Sequence, residues 1–358
     1  MSELRAGGPS PHEQLYYIEQ RDPLGILSTT KEVIQRARLV WIDTTQLEYL
    51  ARSLLTPQNE ATGQASGAAG ITAPAWPAQY HFFDGSERTL NWLLVLDALN
   101  FCFWAEKGQA RWQIEYRGEV LNGYWAEAAA LRRAVEENKP LWDAGYLSNI
   151  DRQELASIFR GLSHDGPGIP LFEERLRCAR EVGQVLLERF GGQFSHLIEQ
   201  TGQSGGALAL ALSEHFSSFR DVATYEGKEV HFFKRAQICA ADLHGAFGGS
   251  SWGMFTDMDE LTIFADYKLP QVLRHYGVLV YAPELADRID RLELLAPGGV
   301  EEVEIRAATI WASELLRREI VRLGGQAVTA VEIDQLLWHL GQDAADMRPY
   351  HRVRTIFY

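Results

Sequence analysis

Apolar residues recur at helical spacing along most of the chain, and the interruptions divide it into elements. Residues 12–55 read as helical: Ser28-Thr29-Thr30-Lys31-Glu32-Val33 offers cap candidates ahead of an amphipathic run to about Val40, and Thr44 to Leu55 makes another. Between Thr56 and Gln79 the period is lost, and Gly63, Gly67, Gly70, Pro74 and Pro77 predict a surface loop or flexible insert. The run from Thr89 to Trp104 is apolar almost all round, which predicts a buried helix or strand pair. Asp97 and Asn100 lie inside it and, if buried, need hydrogen-bond partners. Trp112 to Tyr116 and Glu119 to Leu121 alternate about Arg117-Gly118, which predicts a short hairpin, and Tyr124 to Glu137 a helix. From Asn149 onward helices are expected at about 151–160, 171–190, 206–216, 232–247, 257–264, 269–276, 283–295, 300–323 and 330–340. Thr329-Ala330-Val331-Glu332 is a capping-box pattern, and Gly324-Gly325 a stop. The last residues, Tyr350 to Tyr358, are basic and aromatic without helical period. The fold class expected is mainly α, with a small β-hairpin in the N-terminal half. Residues 1–150 form a mixed lobe and 151–358 a helical lobe, the two making one compact unit.

Composition narrows the class. The chain has 358 residues, 46% hydrophobic and 23% charged, which is ordinary globular material. Its net charge is −14, from 48 acidic against 34 basic side chains, whereas a protein that lives on DNA usually carries a basic surplus. A small substrate is therefore expected rather than a nucleic-acid polymer. No apolar run reaches the length of a bilayer span, and Met1-Ser2-Glu3-Leu4-Arg5 opens no secretory signal. Cys102, Cys178 and Cys239 are widely spaced and outside any CxxC motif, and the 10 histidines contain no HxxxH or HxH pair. These features predict a cytoplasmic protein, with no membrane partner, no metal and no cofactor, acting as a monomer.

Candidate chemistry centres on Thr262 to Gly277, where an apolar run ends in Asp266 and an amphipathic segment starts at Leu269. Asp266 is either the N-cap itself, or Pro270 is the first helical residue and Asp266 lies in the turn ahead. In both registers the carboxylate faces the positive end of a helix dipole. Most aspartates in that position are only caps. One held against apolar walls can also stabilise positive charge developing on a sugar ring, or take a proton from attacking water. Lys234-Arg235, at the opening of a helix, can hold a phosphate. Asp334 and Trp338, at i,i+4 spacing, suit a flat heterocycle, with the indole stacking and the carboxylate accepting from amidine-type N–H donors. His81 sits in the aromatic loop Tyr80 to Gly85. Gly202-Gln203-Ser204-Gly205-Gly206 fits the GxSxG pattern but lacks the preceding buried strand of a nucleophile elbow. No glycine-rich phosphate loop is present.

Two resemblances bear on Asp266. Ile263-Phe264-Ala265-Asp266 followed by Leu269 to Arg274 resembles the catalytic stretch of the helix-hairpin-helix DNA glycosylases, but their glycine-rich DNA-binding hairpin is not recognisable in Phe247 to Gly253. A closer match rests on five blocks in order: Leu96 to Trp104, Asn122-Gly123-Tyr124-Trp125, Phe233 to Gln237, Phe264 to Gln271, and Tyr350 to Arg354. Together they resemble the queuosine salvage protein family. That resemblance implies a helical, DNA-glycosylase-like architecture and hydrolysis of the N-glycosidic bond of queuosine 5'-monophosphate, releasing queuine. It further implies Asp266 as catalytic carboxylate, with His81, Phe264 and Asp334 lining the base site. Trp338 joins them on its spacing, and Lys234 and Arg235 as phosphate contacts on charge and helix placement. The competing readings are a non-catalytic queuine-binding protein and a DNA base-excision glycosylase.

Overall fold

The computed structural model describes residues 16–17, 21–55, 76–162, 166, 168–343 and 346–358. The stretch from residue 56 to 75, most of the expected insert, and residues 12–15 and 18–20 of the first expected helical region lie outside the described residues. In chain order the elements are α1 (Ile26–Ile34), β1 (Val40–Ile42), α2 (Thr44–Leu55), α3 (Glu87–Leu99), β2 (Gln113–Tyr116), β3 (Glu119–Asn122), α4 (Gly123–Glu136), α5 (Ala144–Asn149), α6 (Arg152–Ile158) and α7 (Phe172–Phe190). They continue with α8 (Ser195–Gln200), α9 (Gly205–His215), β4 (Val222–Tyr225), β5 (Lys228–His231), α10 (Lys234–Ala246), α11 (Lys268–His275), β6 (Leu279–Tyr281), α12 (Pro283–Asp290), β7 (Leu294–Leu295), α13 (Val300–Arg322), α14 (Ala330–Asp343) and β8 (Arg352–Val353). The fold is mainly α, and every sheet among the described residues is a two-stranded ladder.

Two helices carry the core. In α3 every residue from Thr89 to Leu99 is buried, and Ser86 caps its start by accepting from the Arg88 N–H. In α13 burial is continuous from Glu302 to Leu316, although four of those side chains are charged. Each has a partner, as burial demands. Glu304 accepts from the Leu39 N–H at 2.8 Å and from the Tyr225 hydroxyl at 2.9 Å, tying the approach to β1 and the β4–β5 hairpin to the helix. Arg306 makes a two-pronged pair with Asp221 at 2.8 and 2.6 Å and donates through Nε to the Ala265 carbonyl at 3.0 Å. Glu314 pairs with Arg317, and Glu302 accepts from the Gly298 N–H.

The β2–β3 hairpin forms as its alternation predicts, its turn residues Arg117 and Gly118 both at positive φ. The capping box at the start of α14 is present, with Thr329 Oγ1 accepting from the Glu332 N–H and the Glu332 carboxylate accepting from the Thr329 N–H. Gly324, at φ 88°, ends α13. Three expectations fail. Residues 257–264 are one 3-10 turn, Met258–Glu260, followed by extended chain, because the polar groups of that segment are bonded to side chains of other helices rather than to each other. The expected helix 283–295 ends at Asp290, and Leu294–Leu295 instead pairs in parallel with Arg352–Val353 from the C-terminal stretch. Val40–Ile42 is a strand bound to Leu279–Tyr281. A second hairpin, β4–β5, turns through Glu226-Gly227 in the gap between the helices expected at 206–216 and 232–247.

Candidate active site

A cleft of about 720 Å³ opens where α10, α14, the start of α4 and the extended segment ahead of α11 converge. Its floor is built by that segment. The Thr262 N–H donates to Gln237 Oε1 at 2.8 Å, and Gln237 is itself anchored through its amide nitrogen to the Phe232 carbonyl. The Phe264 N–H donates to Asp334 Oδ2 at 2.7 Å, and the Ala265 carbonyl accepts from Arg306. Three buried side chains from three helices thus hold the backbone extended and deliver the next residue, Asp266, to the cleft.

Asp266 is 9% exposed. Its Oδ1 accepts from the Lys268 N–H at 2.7 Å and the Leu269 N–H at 2.9 Å, so it caps α11 from just ahead of its first turn. Pro270 is the third helical residue, where no intrahelical N–H bond is lost. Among the described residues no hydrogen bond engages Oδ2. One oxygen positions the carboxylate and the other is left unbonded at the cleft. The amides of α11 supply fixed positive potential on the capped side.

Two further groups face it. Lys234, the first residue of α10, is 6% exposed and lines the cleft. Burial pushes its ammonium downward, while the carboxylates of Asp266 and Asp334 act in the opposite sense. Asp334, one turn ahead of Trp338 on α14, is pushed well above the usual carboxylate range by burial, with Asp266 adding to the rise and the Phe264 N–H and Lys234 opposing it. Trp338 lies edge-on to Trp125, ring centroids 5.6 Å apart. With Phe264, these residues make a slot with aromatic faces and a carboxyl edge. Asp266, Phe264, Asp334, Trp338 and Lys234 therefore meet in one cleft.

His81 and Arg235 do not reach it. His81 is fully buried one layer behind the wall: Nδ1 bonds the Pro77 carbonyl and Nε2 the Tyr124 hydroxyl, each at 2.8 Å. A carbonyl only accepts, so Nδ1 carries the proton and Nε2 accepts from Tyr124. Burial lowers the imidazole to about 4, which keeps it neutral, and its ring packs on Trp76 at 4.4 Å. It acts on the cleft through Tyr124 and Trp76, which do line it. Arg235 is the neighbour of Lys234, but successive helical residues point about 100° apart. Its guanidinium turns inward to the carbonyls of Asp97, Ala98 and Ser218 and is not available to a phosphate. Ser204 of the GxSxG stretch caps α9 and bonds Asp257, away from the cleft.

Several wall residues carried no assigned role in the sequence: Trp76, Tyr124, Trp125, Tyr267, Lys268, Arg111, Tyr350 and Asp242. Tyr267 packs on Tyr350 at 4.8 Å, and Lys268 Nζ lies 5.8 Å from the Tyr350 ring centre. Tyr124, Trp125, Tyr267, Lys268 and Tyr350 sit inside the blocks that carry the family resemblance. No His, Cys, Asp or Glu group among the described residues is arranged to hold a metal ion.

Residues 80–358 match the family described as queuosine salvage protein. The chain belongs to that family. It is 50% identical over 338 residues to a Sphaerobacter thermophilus protein named queuosine 5'-phosphate N-glycosylase/hydrolase, covering 94% of this chain and 98% of that relative. A Bos taurus protein of the same name is 36% identical over 342 residues, 92% of this chain and 97% of its own. One from Schizosaccharomyces pombe is 34% identical over 292 residues, 75% and 83% respectively. The queuosine salvage blocks thus lie around the cleft, with Asp266 at its floor.

Proposed function

We propose that this protein hydrolyses the N-glycosidic bond of queuosine 5'-monophosphate and releases queuine. The observation that carries the reading is the half-bonded carboxylate of Asp266, held rigid at the floor of an aromatic cleft, in a chain whose relatives bear that activity in their names. The base of this nucleotide is a pyrrolopyrimidine without N7, so it cannot leave through the protonation route open to guanine. Its departing charge spreads over the pyrimidine edge, and Asp334 faces that edge with the oxygen not bonded to Phe264. N–H donors of a bound base would favour its ionised form. Trp338 and Phe264 supply stacking surface.

As the bond to C1' lengthens, the ribose gains oxocarbenium character. Oδ2 of Asp266 stabilises that charge in a site of low dielectric, and it is placed to take the proton of the water that adds at C1'. The cations that line the cleft among the described residues are Lys234, Lys268 and Arg111, and the 5'-phosphate is read by Lys234 with Lys268 available beside Asp266. The decisive experiment incubates purified protein with queuosine 5'-monophosphate and follows queuine by chromatography. No free base would reject the reading in favour of a binding protein. Replacing Lys234 or Lys268 by Met in turn should erode the preference for the monophosphate over the nucleoside, and an unchanged ratio of kcat/KM in both variants would remove the phosphate assignment.

A further inference from the structure

The cleft-facing residues of α10 are Lys234, Ile238, Ala241, Asp242 and Gly245, one stripe of the helix. Lys234 marks the end where Asp266 stands. Asp242 lies eight residues further, about 12 Å along the axis at 1.5 Å per residue. Behind it sits Asp97 of α3, fully buried. Among the described residues no N–H donor reaches either oxygen of Asp97, and Oδ2 of Asp242 is likewise buried without one. Asp97 has for neighbours the Cys239 thiol and the carboxyl of Asp242 itself. Two adjacent carboxyls so placed cannot both ionise, and a shared proton leaves the pair with at most one negative charge. Burial holds Asp97 well above the usual range and places Asp242 at about 7. One turn along, a Cβ at Gly245 would meet the Trp76 ring at 3.3 Å, so the indole lies against the helix beside Asp242. Its Nε1 is also buried and without an acceptor.

A half-charged acid pair, an unengaged indole N–H and an aromatic face call for a ligand that brings a cation and a hydroxyl. We infer that Asp242, backed by Asp97, binds the ammonium of the aminomethyl arm on the base, with Trp76 covering the ring diol beyond it. The inference rests on the queuosine reading of the cleft, since it is the arm at C7 of that base which carries a secondary amine. Lys234 and Asp242 line the same face of α10, and the Lys234 ammonium is close enough to act on the Asp242 carboxyl. Ionic pairing in a desolvated site contributes strongly, and the indole face adds to it. Asp97 is a positioning residue that lets one oxygen pair of the dyad carry the charge.

The test measures binding of three free bases by calorimetry at pH 8: queuine, 7-aminomethyl-7-deazaguanine and 7-deazaguanine. Wild type should prefer the two amines over 7-deazaguanine. Asp242→Asn should weaken both amines about 10- to 100-fold and 7-deazaguanine by less than about twofold. Equal weakening of all three, or none, overturns the assignment. Should the variant fail to fold, the wild-type preference for queuine over 7-deazaguanine decides at pH 6 and 8. It widens with pH as the pair gains its charge, and a constant ratio overturns the proposal. Other titratable groups face the pair: Lys234, Arg235 and Cys239 on α10, and Tyr124 on α4 with His81 behind it. The 7-deazaguanine control carries their effects equally. Because these are binding measurements, they succeed or fail independently of queuine release from the nucleotide.

Discussion

At the scale of single residues, the observed cap of Asp266 and its proposed catalytic role can be separated by substitution. Capping α11 needs only an oxygen that accepts, whereas stabilising an oxocarbenium ion needs charge. Asp266→Asn keeps the acceptor, so thermal stability and base binding should stay near wild type while kcat on queuosine 5'-monophosphate falls about 100- to 1000-fold. A variant turning over at the wild-type rate would remove Asp266 from the mechanism. Glu127 tests the buried electrostatics behind the cleft. It is fully buried on α4 against Arg175, and desolvation raises it to about 7. Between its unfolded range near 4.5 and about 7 the folded state holds a proton that the unfolded chain has lost. Raising pH across that window therefore favours unfolding. Glu127→Gln removes this term. Urea melts at pH 5 and pH 8 should show wild type losing on the order of 3 kcal/mol more than the variant over that interval. Parallel losses would show that Glu127 does not titrate there.

At the scale of elements, α5 and α7 are held together by a close approach rather than by propensity. Gly183 lies within α7, where a Cβ would stand 2.3 Å from the Ser148 nitrogen and 2.6 Å from the Ala144 carbonyl oxygen. Both partners are backbone, so neither can swing aside, and α5 sits directly on α7. Gly183→Ala should lower stability by about 1–3 kcal/mol or more despite alanine's higher helix propensity, visible as a lower melting temperature. An unchanged or raised melting temperature would show that the two helices separate easily. The extended segment before α11 shows the converse. Leu261, Ile263 and Ala265 are buried, and Gln237, Asp334 and Arg306 capture the surrounding polar groups and hold the chain extended.

Across the whole molecule, α13 links the site to distant parts of the chain. Its Arg306 holds Asp221 at the foot of the β4–β5 hairpin and the Ala265 carbonyl beside Asp266, while Asp221 accepts from the Lys234 N–H. One buried guanidinium therefore braces both sides of the cleft. Arg306→Met would leave Asp221 an uncompensated buried charge, a change that typically costs about 3–5 kcal/mol. It would also release the Ala265 carbonyl. Melting temperature and kcat should fall together in this variant, unlike in Asp266→Asn. Loss of stability with unaltered kcat would show that Asp266 is positioned by its cap alone.

Local signals carried far in this chain. The capping box at Thr329, the glycine stop after α13 and the hairpin turn at Arg117-Gly118 each depend on neighbours in sequence, and each is where the pattern puts it, as are most helices outside 257–264 and 291–295. The i,i+4 pair Asp334 and Trp338 and the capping position of Asp266 were legible for the same reason: a helix fixes which side chains share a face. What required the folded chain was every pairing between distant segments. Strands of two or three residues, such as Val40–Ile42 and Leu294–Leu295, have no period of their own and exist because remote backbone completes their hydrogen bonds. Arg235 and Lys234 look equivalent in sequence, and only the packing of α3 against α10 turns one into the core and leaves the other in the cleft. His81 is withdrawn behind Tyr124 by the same kind of contact. The meeting of Asp97 with Asp242 is likewise tertiary, since burial and proximity, not residue type, decide which carboxyl in a chain of 48 acidic side chains keeps its proton.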